Sequence, residues 1–157
     1  MPFVLIRPDD WNLPLFLHVL GAMVLMGALV AVVTALLAAW NDDDVDRVEL
    51  LRRFGLRFLL YGVLPGFLVM RISAEWIRDK EFGDTDSEPD WIGVGYGVAD
   101  LGALFLIVSI VLTAVAVRRA RRQDADGRTL ARVAGVLTAL LLVLNVVAVW
   151  AMTAKPG

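Results

Sequence analysis

The chain has 157 residues, 59% of them hydrophobic, with a mean hydropathy of +0.70 and a formal net charge of −2. That length accommodates one domain, and the hydropathy exceeds that of a soluble globular chain. The absence of cysteine excludes disulfides, thiolate catalysis and Cys-ligated metals, and nothing in the charge pattern points to nucleic acid as a partner.

The charged residues, 20% of the chain, collect in four short blocks separated by long uncharged tracts, as in a multi-pass membrane protein. Residues 1–12 form a short amphipathic leader in which Trp11 is an expected interfacial anchor, Asn12 a helix cap and Pro14 a helix-entry proline. The leader is not expected to be a cleaved signal, because Arg7 is offset by Asp9 and Asp10 and the following apolar run is too long. The first span is expected over about residues 13–40, longer than the roughly 20 helical residues that a bilayer core requires. Gly27, Ala31, Ala35 and Ala39 recur every four residues and predict a close helix-packing stripe. His18 is the only histidine.

Residues 41–54 begin with Asn41 and three aspartates and continue into arginines. Carboxylates at the start of a helix and arginines later in it suit the helix dipole. The apolar positions Val45, Val48, Leu51 and Leu56 predict an amphipathic helix along the membrane surface. An EF-hand is a poor reading, since its glycine and distal glutamate are missing. The second span, about 55–77, contains a GxxxG at Gly62 and Gly66 and a mid-helix Pro65, which predicts a kink. An acidic loop follows, with turns at Gly83-Asp84 and Glu88-Pro89. The third span, about 91–117, opens with Gly93, Gly95 and Gly97, read as helix-packing positions because no nucleotide-binding context surrounds them. The basic block 118–129 leads to the fourth span, about 130–152.

Orientation follows from the basic residues of the short loops. Arg47, Arg52, Arg53 and Arg57 flank the first connection, and Arg118, Arg119, Arg121, Arg122, Arg128 and Arg132 the third. The opposite side holds only Arg7, Arg78, Lys80 and Lys155. The expected fold is therefore all-α: a single transmembrane domain (residues 1–157) forming an antiparallel four-helix bundle, with both termini extracytoplasmic. The excess of arginine over lysine and the abundance of Ala, Val and Leu suggest a GC-rich bacterial genome, hence a bacterial inner membrane.

Counting inward at 1.5 Å per residue, His18, Arg71, Asp100 and Asn145 all fall in the outer third of the membrane, one from each span, with Glu75 nearer the surface. A charge at such a depth needs a partner. Arg71 and Glu75 are spaced for pairing on one helix face, and Asp100 is within reach on the next helix. Two readings stand: a network that fixes helix register, or a site for a proton, ion or small ligand. A metal reading of the same region uses His18, Met23, Met26, Met70 and Met152, because imidazole with thioethers suits copper(I). Haem would need methionine or a second copy as partner to the lone histidine.

Leu17-His18-Val19-Leu20-Gly21-Ala22 and Leu64-Pro65-Gly66 resemble an uncharacterised bacterial family of small four-helix integral membrane proteins, itself distantly similar to the membrane domain of copper-resistance D proteins. The resemblance covers the first two spans and implies a helical membrane fold. It brings no established activity, and its copper association would rest on His18. The expected function is non-enzymatic: an accessory, sensing or interaction protein of the membrane. The alternatives are a small transporter or ligand-binding module at Arg71, Asp100 and His18, and a copper- or haem-handling protein. Expected partners are the lipid bilayer and, through the Gly/Ala stripes, a second copy or another membrane subunit.

Overall fold

The computed structural model describes residues 12–81, 90–120 and 127–154. The leader anchor at Trp11, both turns of the acidic loop and the middle of the basic loop lie outside the described residues. The described residues are helical apart from a short connection, with no strand among them. The helices are α1 (Asn12–Ala38), α2 (Val45–Phe58), α3 (Leu64–Glu81), α4 (Asp90–Ala120) and α5 (Gly127–Ala154), with one wide helical turn at Leu59–Val63. Since that turn joins α2 to α3 without a break, four continuous helices are long and apolar enough to cross a membrane: Asn12–Ala38, Val45–Glu81, Gly95–Arg119 and Gly127–Ala154. Large apolar side chains such as Phe16, Met23, Tyr61, Ile72, Ile107 and Trp150 cover the outside. Such a surface suits lipid and not water.

The start of α2 explains the aspartate run. Asp44 is the N-cap, and its carboxylate accepts from the backbone N–H groups of Asp46 and Arg47 at 3.0 and 3.4 Å. Asp42 pairs with Arg47 at 3.1 Å. The segment expected as a separate surface helix instead continues into the second span, and the whole helix of 37 residues is about 55 Å long. Its buried positions Val48, Arg52 and Gly55 face α1 and α4.

Proline makes itself felt one turn before its own position. Pro65 has no N–H, and in a regular α-helix its ring would press on the carbonyl four residues earlier. The backbone responds with the wide turn Leu59–Val63, closed by Leu64 N–H donating to Leu59 O. Where a kink is expected at Pro65, the helix runs on continuously and carries a π-turn one turn earlier, a recognised way to offset the register of a helix.

The core is a single cluster built on Leu25, Leu29, Val32 and Leu36 of α1, which meet Leu59, Val63, Phe67, Leu106 and Leu141. The seam between α1 and the second span is close. An ideal Cβ on Gly21 would lie 2.6 Å from Met70 N, one on Gly66 2.9 Å from Leu25 N, and one on Gly62 2.8 Å from Ala28 Cβ. These glycines let two backbones approach as in small-residue membrane seams. Gly27, expected in the packing stripe, has nothing near its Cβ position, whereas Ala35 and Ala39 are buried. Of the three glycines opening α4, only Gly95 meets a neighbour, the methyl of Met152 at 2.8 Å; Gly93 and Gly97 face open space.

α4 packs along α5 and against α2 and the wide turn, but it does not pack closely on α3. The gap between α3 and α4 is the feature that positions the site.

Candidate functional site

Long polar side chains cross that gap. Arg71 on α3 pairs with Glu75, one turn later, at 2.9 Å (Nη1–Oε1), and reaches Asp100 on α4 at 3.5 Å (Nη2–Oδ1). Its guanidinium lies over the Tyr96 ring, 4.3 Å from the centroid, close enough for a cation–π contact. The Tyr96 hydroxyl donates to Glu75 Oε2 at 2.8 Å. Arg78 adds a third contact to the same carboxylate at 3.8 Å and lies 5.5 Å from the ring. The cluster is thus a guanidinium–carboxylate–phenol assembly centred on Glu75. Asp100 is the outlying member, at 74% side-chain exposure.

His18 and Asn145 stand apart from this assembly. His18 Nδ1 lies 3.1 Å from the carbonyl oxygen of Met70. A carbonyl only accepts, so Nδ1 carries the hydrogen and a neutral ring presents an unprotonated Nε2. The same Met70 carbonyl accepts from Ser73 Oγ at 3.0 Å. Asn145 Nδ2 donates to Leu141 O at 2.9 Å, within its own helix. The sequence-derived grouping of His18, Arg71, Glu75, Asp100 and Asn145 therefore resolves into one ion-pair network and two side chains bonded to helix backbone.

What reunites most of them is a cavity of about 300 Å³. His18, Arg71 and Asn145 line it from α1, α3 and α5, and Tyr96 and Arg78 border its polar side. Glu81 also lines it, and the remaining wall is apolar, with Phe67, Ala99 and the methionines Met26, Met70 and Met152. Met23, expected among the metal candidates, is 69% exposed and does not line the cavity. Among the described residues no three His, Asp or Glu side chains form a group that could hold a metal ion. The thioethers and the free Nε2 of His18 are the soft donors present.

Tyr96 is the member that sequence reasoning missed. Its signal was available: it lies four residues before Asp100, hence on the same face of α4. Arg52, buried at the opposite end, was counted only as a loop charge.

No family model matches the chain, and neither a curated protein nor a solved structure is significantly similar to it.

Proposed function

We propose that the chain is a multi-pass protein of a bacterial cytoplasmic membrane that acts without catalysis, as a binding or sensing module for a small, mostly apolar ligand. Its helices form an antiparallel bundle with both termini extracytoplasmic. The opposed numbering of the seam supports the antiparallel arrangement: Gly21 meets Met70, Leu25 meets Gly66, Ala28 meets Gly62 and Leu36 meets Gly55. The ten-to-four distribution of basic residues supports the orientation.

The observation that carries the reading is the cavity itself. Its volume of about 300 Å³ is at the lower end of known ligand pockets, and an apolar wall with a few convergent polar groups is their usual composition. A network serving only to fix register has no use for the space beside it. The ligand that fits has an apolar body and a hydrogen-bonding head directed at Arg71 and Tyr96.

Native mass spectrometry of the protein released from nanodiscs tests this. Ala22 and Ala74 are half-buried residues on the cavity wall, so Ala22→Phe and Ala74→Phe fill the space. The wild type should carry a non-covalent adduct that both variants lose. An adduct retained by both variants, or absent from the wild type, would leave the cavity as a packing defect.

A second reading rests on a different observation. Met26, Met70, Met152 and the Nε2 of His18 border the same space, and thioethers with imidazole select copper(I). Metal analysis and an optical spectrum of the purified protein separate copper or haem from an organic ligand. A second copy or another membrane subunit, docking over the uncovered Gly27, is compatible with either reading.

A further inference from the structure

The end of the bundle opposite the cavity gathers hydrogen-bond donors that have no acceptor among the described residues. Arg52 is on the buried stripe of α2 and only 6% exposed. Its Nε is buried without a partner, and the side chain makes no ion pair or hydrogen bond among the described residues. Of the arginines around it, Arg47 is paired with Asp42, and Arg53 is paired with Glu49 through Nη2 although its Nε is also buried without a partner. Trp40 Nε1, at the end of α1, is likewise buried and unpartnered.

Helix register puts these groups together. Leu36 touches the Cβ position of both Gly55 on α2 and Gly135 on α5, at 3.2 and 3.5 Å. From that common level, at 1.5 Å per residue, Arg52 lies about 4.5 Å and Arg128 about 10 Å toward the same end, while the Trp40 indole folds back, with Nε1 3.4 Å from the Cβ position of Gly135. The direction is shared because α1 finishes there while α2 and α5 begin. Arg128 cannot be the missing acceptor, since its own positive charge acts on Arg52. The first turn of α5 adds unpaired backbone N–H groups and the positive end of a helix dipole, with no acidic residue in that turn. Three of the carboxylates that precede Arg52 are engaged elsewhere: Asp42 with Arg47, Asp44 with the α2 cap and Glu49 with Arg53.

A guanidinium whose Nε is buried without an acceptor is costly, and a tetrahedral oxyanion matches its planar fork. We propose that this end of the bundle binds a phosphate-type oxyanion, held by Arg52, with Arg128 and the first turn of α5 supplying further donors. The group can come from an anionic lipid headgroup of the adjacent leaflet or from free phosphate. The site is separate from the cavity and does not depend on what occupies it.

Thermal melts distinguish the sources. The protein in phosphatidylcholine nanodiscs is melted in chloride and in inorganic phosphate at matched ionic strength, and again in chloride buffer in nanodiscs containing phosphatidylglycerol. A rise with phosphate assigns a free oxyanion, and a rise with phosphatidylglycerol alone assigns the lipid headgroup. Arg52→Gln should weaken the phosphate response about tenfold or abolish the lipid shift, the loss expected for charge-assisted hydrogen bonds. The exposed Arg128→Gln, which leaves the core intact, should reduce the same response. A wild-type melting temperature indifferent to both additions overturns the proposal, as does a response of wild-type size in both variants. So does a protein that ignores both additions yet is destabilised by Asp124→Asn or Asp126→Asn, because the chain's own carboxylates would then be the acceptor.

Discussion

Substituting Gly21 by alanine tests the seam on which the cavity depends. The new Cβ would lie 2.6 Å from Met70 N, 3.0 Å from Met70 Cα and 3.1 Å from Gly66 O. All three are backbone atoms, so no side-chain rotation relieves the overlap. Ordinary contact begins at 3.4 Å, leaving a shortfall of 0.8 Å that only separation of α1 from α3 can supply. A shift of that size would lengthen the His18–Met70 hydrogen bond from 3.1 Å to beyond the 3.5 Å bonding range. Overpacking of this kind costs about 1–3 kcal/mol, and a lost hydrogen bond about 0.5–1.5 kcal/mol. Gly21→Ala should therefore lower stability by about 2–3 kcal/mol. Gly27→Ala is the internal control: it is six residues away on the same helix, with nothing within 4 Å of its Cβ position. Alanine is the better helix former by about 0.5–1 kcal/mol, so this variant should melt at or slightly above the wild type. Circular-dichroism melts of the three proteins in one detergent decide the matter. If Gly21→Ala melts with Gly27→Ala, α1 and α3 are not in the close contact described.

The remaining predictions concern charge and orientation. Because the chain has no native cysteine, Thr85→Cys and Gln123→Cys can be labelled singly with an impermeant thiol reagent in intact cells. Thr85→Cys should react and Gln123→Cys should not; the reverse result would invert the topology. In double-mutant cycles, Arg71 should couple to Glu75 by about 0.5–1 kcal/mol and to Asp100 by less, since the latter pair is longer and its carboxylate more exposed. A larger coupling to Asp100 would make the bridge between α3 and α4 the dominant interaction.

The spans could be read from the sequence because bilayer thickness sets their length, and uncharged runs such as residues 13–40 have no other use. The cap in the aspartate run before α2 and a backbone irregularity near Pro65 were equally legible, since capping and a missing N–H act locally. Rotation about each helix axis was not. α1 is apolar on every side, and lipid and core both accept apolar residues, so no polar stripe marks which face packs. Gly21 and Gly27 look alike in sequence, yet one lies against a neighbouring backbone and the other faces open space. The same ambiguity hid the partners of the buried charges. Depth alone grouped Asn145 with Arg71, but Asn145 bonds within its own helix and Tyr96 takes the place beneath the guanidinium. Tertiary packing also turned Arg52 inward, away from the loop charges it follows in the chain. Sequence sets how deep a polar group lies in the membrane, through the helical rise; only helix packing sets which way it faces, and therefore what it meets.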